Sequence, residues 1–357
     1  MSRPSVDTEN TEVLVKLRSR PLASRGLIAA LIVCITLAVV IYFNRPKRSQ
    51  ASEATAPEPS GEAAVVPIVA PQTTPGPAHS LDDAPATRPT DPSTPARPPA
   101  PPAGFLAIAV AKRDAGDLLA ARDLVNEAVR SRSLNAAELA DARAFLGDIN
   151  QQVFFSSRFF PDDPHCAVHV VQPGESLERI GKQYDIPWEL IQRINNIADP
   201  RRVRSGQKLK VPLGPLHAVV NKSEFTLDVW IGKPYANGSM FLRSYRVGLG
   251  EDNSTPAGQW LVTPGEKLRH PQWTNPRVPG QVIAGGDPKN PLGSRWIALR
   301  GIDGNAVGQQ SYGIHGTIEP HTIGKMASMG CIRMLNEDVE VLYDLLRDGK
   351  STVEIVE

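Results

Sequence analysis

This chain has few cysteines, and it has almost no excess of charge of either sign. Its 357 residues include only three cysteines, Cys34, Cys166 and Cys331, so there is little material for a disulfide framework. The 39 basic and 38 acidic side chains leave a formal net charge of +1. Because the chain has no large field of one sign, its composition gives no support for a nucleic-acid partner.

One long stretch near the N-terminus has no charge at all. Residues 26–43 are apolar and uncharged, and this length fits a transmembrane helix at the short end of the usual range. Basic residues lie on both sides, with a slight excess before the run: Lys16, Arg18, Arg20 and Arg25 precede it, and Arg45, Lys47 and Arg48 follow it. This bias predicts a single-pass anchor in the cell membrane, with residues 1–25 as a cytoplasmic tail and the remainder exported.

A cleaved secretory signal peptide is the alternative interpretation of the same run. The basic residues that follow the run stand where a small-residue cleavage site is expected, which argues against cleavage. Ala54, Thr55 and Ala56 lie further on and keep the alternative open.

Proline is plentiful but unevenly distributed. Fifteen of the 33 prolines fall between Pro46 and Pro102, in a stretch with few large apolar residues. Such a composition cannot bury enough surface to offset the entropy of the chain. We therefore predict that residues 44–103 form a disordered, partly polyproline-II linker.

Residues 104–160 have a helical pattern. Leu118, Ala121, Val125 and Ala128 recur at three- and four-residue steps, which is typical of one apolar helix face. Breaks at 116–117 and 133–135 divide the segment into two or three helices. We interpret it as a small helical spacer that packs on a neighbouring domain.

Residues 167–213 predict the order strand, helix, helix, strand. A turn at Pro173 and Gly174 follows the first strand, Ser176 can cap the first helix, and Pro187 can open the second. Gly206 precedes the last strand. This βααβ arrangement resembles a LysM domain over essentially its full length.

The resemblance implies that this module binds glycans containing N-acetylglucosamine. It places the groove between two loops, whose residues are Gly174, Glu175, Ser176 and Leu177 in the first and Asn196, Ile197, Ala198, Asp199 and Pro200 in the second. These loops have no aromatic platform for sugar stacking. A spacer that has lost glycan binding is therefore the alternative.

From His217 the pattern becomes that of β-strands. Large apolar side chains occupy 225, 227, 229 and 231, with Thr226, Asp228 and Trp230 between them, and further strands are predicted near 241–248, 259–263 and 296–299. One late helix is expected, capped by Asn336 and ended by Gly349. Residues 214–357 are thus predicted to form a mostly-β domain with one late helix.

This β region contains a histidine and a cysteine in a glycine-rich frame. His315 is followed by Gly316 and Thr317, and residues 328–334 read Ser-Met-Gly-Cys-Ile-Arg-Met, with Cys331 at the centre. A thiolate that attacks a carbonyl, an imidazole that manages the proton and small residues that admit backbone N–H groups suit acyl transfer. The region closely resembles the L,D-transpeptidase (YkuD-type) family.

The roles of the site residues follow from this chemistry and from the resemblance. Cys331 is the expected nucleophile, and His315 is the expected general base and acid. The resemblance gives the orienting role to a backbone carbonyl at Gly316 rather than to an aspartate. Gly330 and Cys331 are expected to supply N–H groups to an oxyanion hole, and Ser328 to shape the loop by hydrogen bonding.

Two other residues of this region, Arg333 and Tyr312, have two interpretations each. Arg333 can hold a stem-peptide carboxylate bidentately or form a surface salt bridge. Tyr312 lines the pocket or packs against it. Met329 replaces the histidine of the commonest family string, Ser-His-Gly-Cys, which puts in doubt any help from a second imidazole. A zinc site of Cys331, His315 and His321 lacks close ligand spacing and a fourth ligand, so we expect no metal.

The two resemblances imply a membrane-tethered enzyme of the periplasm or cell-wall space that acts on peptidoglycan. The expected reaction forms 3→3 cross-links between stem peptides through a cysteine acyl-enzyme and needs no cofactor. An L,D-carboxypeptidase and a protein-to-peptidoglycan coupling enzyme would use the same site. A non-catalytic wall-binding scaffold is the hypothesis from a different class.

Overall fold

The computed structural model describes residues 104–357. The predicted tail (1–25), transmembrane anchor (26–43) and linker (44–103) lie outside the described residues. Within 104–357, no helix combines the length and the apolar character that a membrane crossing requires.

Six α-helices and fourteen strands make up the described part of the chain. The helices are α1 (Phe105–Asp114), α2 (Leu118–Arg130), α3 (Ala136–Val153), α4 (Leu177–Gln183), α5 (Trp188–Ile194) and α6 (Asn336–Leu345). The strands are β1 (Cys166–Val170), β2 (Lys208–Pro212), β3 (Leu216–Asn221), β4 (Thr226–Ile231), β5 (Met240–Arg246), β6 (Leu249–Gly250), β7 (Gly258–Arg269), β8 (Trp273–Thr274), β9 (Val282–Ile283), β10 (Arg295–Gly304), β11 (Tyr312–His315), β12 (Met326–Ser328), β13 (Ile332–Arg333) and β14 (Thr352–Val356).

The N-terminal described segment forms three helices, which confirms the breaks expected at 116–117 and 133–135. Asp117 accepts a hydrogen bond from the Ala120 amide at the start of α2. Asn135 and Glu138 form a reciprocal capping box at the start of α3. At the other end of α3, the buried Lys210 ammonium of β2 donates to the carbonyls of Val153 and Phe154, where a cation suits the helix dipole.

Strands β1 and β2 pair antiparallel and enclose α4 and α5, as the βααβ prediction requires. Ser176 caps α4 by accepting a hydrogen bond from the Arg179 amide, also as predicted. Ion pairs join this unit to the following domain, including Arg193 with Asp344 and Arg347 with Asp185. The small unit is therefore docked on the larger one.

The larger domain is built on an eight-stranded sheet in the order β13-β11-β10-β7-β14-β3-β4-β5. Its neighbours are antiparallel except for β14 with β3 and β11 with β13. This confirms a mostly-β domain with one late helix.

Both faces of β4 are covered, which the alternating pattern did not predict. Asp228 and Trp230 stand at the intervening positions but are buried. Trp230 packs with the helical segment, in a cluster that includes Val125 and Leu146. The segment also covers the sheet edge, because Asn150 donates to the Phe241 carbonyl of β5 (2.8 Å). The helical segment 104–160 thus covers part of one face and one edge of the sheet of the β domain.

The prediction that Asn336 caps the late helix is wrong. Leu335 stands at the N-cap position of α6, and the helix ends at Leu345, before Gly349. The Asn336 side chain instead bonds to two loops beside the helix, through the Ser294 amide and the Thr317 carbonyl.

Candidate active site

His315 and Cys331 line the same cavity, which has a volume of about 680 Å³. His315 is the last residue of β11, and Cys331 immediately precedes β13. Because β11 and β13 are parallel neighbours, with Ile314 opposite Ile332, the sheet brings together two residues that are sixteen positions apart. The cavity wall is mostly apolar and includes Leu268, Pro271, Trp273, Pro291, Leu292 and Trp296.

The orientation of His315 is fixed by its own backbone neighbourhood. Its Nδ1 lies 2.6 Å from the Gly316 carbonyl oxygen. A carbonyl can only accept a hydrogen bond, so Nδ1 carries the proton and Nε2 keeps a free lone pair. The ring also stacks on Trp296, with the ring centroids 5.8 Å apart. His315 is thus held as the neutral tautomer that can act as a base through Nε2.

Burial keeps both members of the pair uncharged in the resting protein. Desolvation lowers the pKa of His315 to about 4; the Gly316 hydrogen bond acts in the opposite direction, and Arg333 lowers it further. Desolvation also raises the pKa of the Cys331 thiol, against smaller opposing effects of the Gly313 backbone and Arg333. The thiol donates to the Ser311 carbonyl at 3.7 Å. In this arrangement the two groups are therefore a neutral thiol and a neutral imidazole rather than a preformed ion pair.

Known protein families match the chain over the same elements. The sequence model of the YkuD family, the L,D-transpeptidase catalytic domain, matches residues 215–355. These residues form an L,D-transpeptidase catalytic domain. The LysM family matches residues 169–212, so a LysM domain precedes the L,D-transpeptidase domain.

Individual relatives match parts of the chain. YcfS of Escherichia coli (strain K12), named as an L,D-transpeptidase, is 31% identical over 204 residues, which cover 51% of this chain and 59% of that protein. YqjB of Bacillus subtilis (strain 168), also so named, is 40% identical over 106 residues, covering 29% of this chain and 54% of that protein. The chain thus spans a little over half the length of these two relatives. Among solved structures, an L,D-transpeptidase from Mycobacterium smegmatis has 16% identity and a TM-score of 0.28, covering 43% of this chain and 64% of that one.

The loop before Cys331 differs from its predicted arrangement in one respect. Ser328 Oγ donates to the Cys331 carbonyl (2.6 Å) and accepts from the Gly330 amide (3.1 Å), so Ser328 does shape this loop. The Gly330 amide therefore has Ser328 as its partner in this structure, and its role in an oxyanion hole stays a prediction. Gly330 has φ +123°, and a Cβ there would lie 2.7 Å from the Tyr312 ring, so the position requires glycine.

Arg333 lines the cavity while it is bound to the protein's own carboxylate. Its Nη1 donates to Glu319 (3.0 Å) and lies 3.4 Å from Thr322 Oγ1. This is the salt-bridge alternative; a substrate carboxylate would have to compete with Glu319. Tyr312 lines the cavity and also packs on Trp260, with the centroids 5.2 Å apart, so both of its predicted roles apply.

Two further residues of this region, Met329 and His321, are exposed. The Met329 side chain is 54% exposed at the cavity wall, at the position where the commonest family string has a histidine. His321 is exposed in a short 3₁₀ turn, Pro320–Thr322. Across the described ranges, no three His, Cys, Asp or Glu side chains converge as metal ligands.

The predicted glycan-binding residues in the first loop of the LysM domain differ in their exposure to solvent. Gly174 and Ser176 are exposed. Glu175 is held by His169 Nε2 (2.8 Å) and by the Gln172 amide (2.9 Å). Leu177 is 2% exposed and belongs to the core, so its prediction as a groove residue is wrong; the first apolar residue of a short helix is needed for packing.

The second predicted loop borders a different surface feature. Asn196, Ile197 and Ala198 line a cavity that is completed by Asp344 of α6, on the side of the L,D-transpeptidase domain. Asp199 accepts a hydrogen bond from the Arg201 amide and pairs with its guanidinium, and Pro200 begins the 3₁₀ turn that Asp199 caps.

Two residues in or beside the candidate site escaped the sequence prediction. Trp296 was expected only as part of a strand, yet its ring stacks on His315. Asn336 was interpreted as a helix cap, yet its amide contacts the loop after His315. Asn336 follows Cys331 by only five residues, and this proximity in the sequence could have marked it as a candidate. Only the fold shows which loop its amide contacts.

The depressed pKa of His315 predicts how stability depends on pH. Between pH 6.5 and about 4, the unfolded chain binds a proton on this histidine and the folded protein does not. Stability from its neutral burial is therefore complete above pH 6.5 and is lost as pH falls toward 4, by on the order of 3 kcal/mol. Urea unfolding at pH 7 and pH 4.5 should show a smaller loss for His315→Gln than for the native protein. The exposed His321→Gln is the matched control, and an equal loss in all three proteins would contradict the assignment.

Proposed function

We propose that this protein is a peptidoglycan L,D-transpeptidase that forms 3→3 cross-links between stem peptides through an acyl-enzyme on Cys331. The observation that carries the proposal is the pairing in one cavity of a half-buried thiol with an imidazole whose Nδ1 is held by the Gly316 carbonyl. Nε2 is then the nitrogen that is available as a base.

The proposed reaction has two acyl-transfer steps. In the first, the thiol proton of Cys331 passes to His315 Nε2 as sulfur attacks the carbonyl of the third, diamino-acid residue of a tetrapeptide stem. The C–N bond to the terminal D-alanine breaks, and His315 returns the proton to the leaving amine. In the second, the side-chain amine of another stem attacks the thioester, the C–S bond breaks as the new amide forms, and the amine proton passes through His315 to the Cys331 sulfur.

A second cavity provides space for an amine acceptor next to Cys331. It has a volume of about 650 Å³ and shares Trp296, Gln310, Ser311 and Tyr312 with the cavity that contains Cys331. A reaction with water would need no such space. The same site would act as a carboxypeptidase if water resolved the thioester, or as a protein-coupling enzyme if a protein lysine did so.

The LysM domain and the predicted membrane anchor would both attach the protein to the substrate's surroundings. We propose that LysM binds the glycan of the wall and that residues 26–43 anchor the chain in the cell membrane, with the catalytic domain in the periplasm or cell-wall space. Two attachments raise the effective concentration of the catalyst at a polymeric substrate.

Product analysis tests this proposal. The purified full-length protein is incubated with disaccharide-tetrapeptide, and the products are identified by mass spectrometry. A cross-linked dimer with loss of D-alanine is the expected result, and tripeptide without dimer would assign a carboxypeptidase instead. If neither product forms, while the protein still binds purified wall, the scaffold hypothesis replaces the enzyme.

A further inference from the structure

We infer that Asn336 is a positioning residue for this reaction: its side-chain amide holds the loop that carries the Gly316 carbonyl, and this carbonyl fixes the tautomer of His315. The inference rests on the proposed function, in which His315 Nε2 accepts the proton of Cys331. Asn336 lies in the first turn of α6 and is not among the residues that line the cavity around Cys331.

The Asn336 amide bridges two loops by a pair of hydrogen bonds. Its Oδ1 accepts from the Ser294 amide (3.0 Å), and its Nδ2 donates to the Thr317 carbonyl (3.0 Å). Both hydrogen-bonding functions of the amide are thus used to connect the turn before β10 with the segment after β11. A neutral side chain with both an acceptor and a donor is required for this arrangement.

Two glycines leave the space that this amide fills. A Cβ added at Gly293 or at Gly316 would overlap the Oδ1 atom of Asn336. At Gly293 such a Cβ would also lie 2.8 Å from the Gly316 carbonyl carbon. The close approach of the two loops and the amide therefore depends on both glycines, and it places Asn336 against the backbone that bears the His315 partner.

The Gly316 carbonyl needs this support because the strand stops just before it. Strand β11 ends at His315, and the Gly316 amide has a single long bond to the Arg295 carbonyl (3.3 Å). Glycine allows wide rotation of the adjoining peptide planes. The hydrogen bond from Asn336 to the next carbonyl, that of Thr317, restricts this rotation from the other side.

Rotation of that carbonyl would change the chemistry of the imidazole. The Nδ1–H group of His315 is buried and has the Gly316 oxygen as its partner at 2.6 Å. Without this acceptor, the tautomer with hydrogen on Nε2 becomes populated, because the hydrogen bond on one ring nitrogen determines which nitrogen is protonated. That tautomer cannot accept the proton of Cys331. A merely structural asparagine would alter stability but not the tautomer.

The test uses the full-length protein with ¹⁵N-labelled histidine and the variants Asn336→Ala and Asn336→Asp. Glu337→Gln is the matched control, since Glu337 is the next residue of α6 and is exposed. The ¹⁵N signals of His315 are assigned with a His315→Gln sample. We expect only the Nδ1–H tautomer in the native protein and in Glu337→Gln, and a substantial Nε2–H population in Asn336→Ala.

Activity provides the second readout. We expect kcat/KM of Asn336→Ala to fall roughly tenfold to a hundredfold between pH 6 and 8, because misplacing a reacting group by about 1 Å can lower the rate on the order of a hundredfold. Asn336→Asp keeps the acceptor for Ser294 but loses the donor for Thr317, so an intermediate loss is expected. A fall in rate with the Nδ1–H tautomer unchanged would overturn the inference.

The remaining outcomes are also decisive. If Asn336→Ala fails to fold, the tautomer in Asn336→Asp decides the inference by the same criterion. If the native protein forms no product, the proposed function fails, while the tautomer measurement still tests whether Asn336 positions His315. An equal tautomer change in Glu337→Gln would mean that α6 as a whole, and not the Asn336 amide, holds the loop.

Discussion

Replacing Cys331 with alanine is expected to lower the rate of cross-link formation from disaccharide-tetrapeptide by more than about a thousandfold. Without the thiol, no acyl-enzyme can form, and the rest of the site can only bind and orient the substrate. Rates are measured by mass spectrometry of the products with full-length protein. Binding to purified wall should stay at the native level, because the LysM domain is untouched.

Cys166→Ala is the matched control for this substitution. Cys166 is a second unpaired thiol, but it is 6% exposed, and burial raises its pKa to about 12. We expect its rate to stay within about twofold of native, since a cysteine that is both buried and protonated is inert. An unchanged rate of cross-link formation in Cys331→Ala would show that Cys331 is not the nucleophile.

The same pair of variants separates the two thiols by a covalent probe. A carbapenem is expected to add once to the native protein and to Cys166→Ala, and not to Cys331→Ala, as read by intact mass. Addition to Cys331→Ala would mean that the acylated thiol is not the one beside His315.

Replacing Trp230 with alanine is expected to lower the free energy of unfolding by about 3–5 kcal/mol. The Trp230 side chain is fully buried in the sheet face that packs on α2 and α3, with its ring centroid 4.7 Å from that of Tyr235 and 5.6 Å from that of Phe241. Removing it leaves a large cavity between the helical segment and β4. Urea unfolding measures the change.

This substitution also tests whether the helical segment and the catalytic sheet unfold together. Because Trp230 of β4 packs against the helical segment, Trp230→Ala should shift a single unfolding transition rather than detach the helices from an intact sheet. Val307→Ala is the control: that side chain is 61% exposed, so its loss should change stability by less than about 0.5 kcal/mol. If Trp230→Ala lowers the free energy of unfolding by less than about 1 kcal/mol, the packing of the helices on the sheet contributes little to stability.

Local patterns in the sequence predicted much of the architecture because the signals were local. Ser176 caps its helix as expected, the breaks at 116–117 and 133–135 separate three helices, and the order strand, helix, helix, strand holds for the LysM domain. Capping residues and apolar periodicity act over one or two helical turns, so neighbouring residues contain enough information.

Predictions failed where a residue's partner lies far away in the chain. Asparagine is a preferred N-cap residue, so Asn336 was expected to cap the helix. Its actual partners, Ser294 and Thr317, are brought to it by the fold. Asp228 stands at a position of β4 that suggested solvent, yet Arg143 of α3 pairs with it at 2.6 Å. Propensity and periodicity contain no term for a loop or helix that returns to cover a strand.

The sequence by itself determined which groups the proposed chemistry can use: a cysteine, a histidine and several glycines in one frame, and a separate βααβ module before them. The tertiary structure decided how that chemistry is arranged. Parallel pairing of β11 with β13 brings Cys331 and His315 to one cavity, and burial keeps both neutral. Hydrogen-bond direction and desolvation depend on every atom packed around a group, and these neighbours are assembled only when distant segments meet.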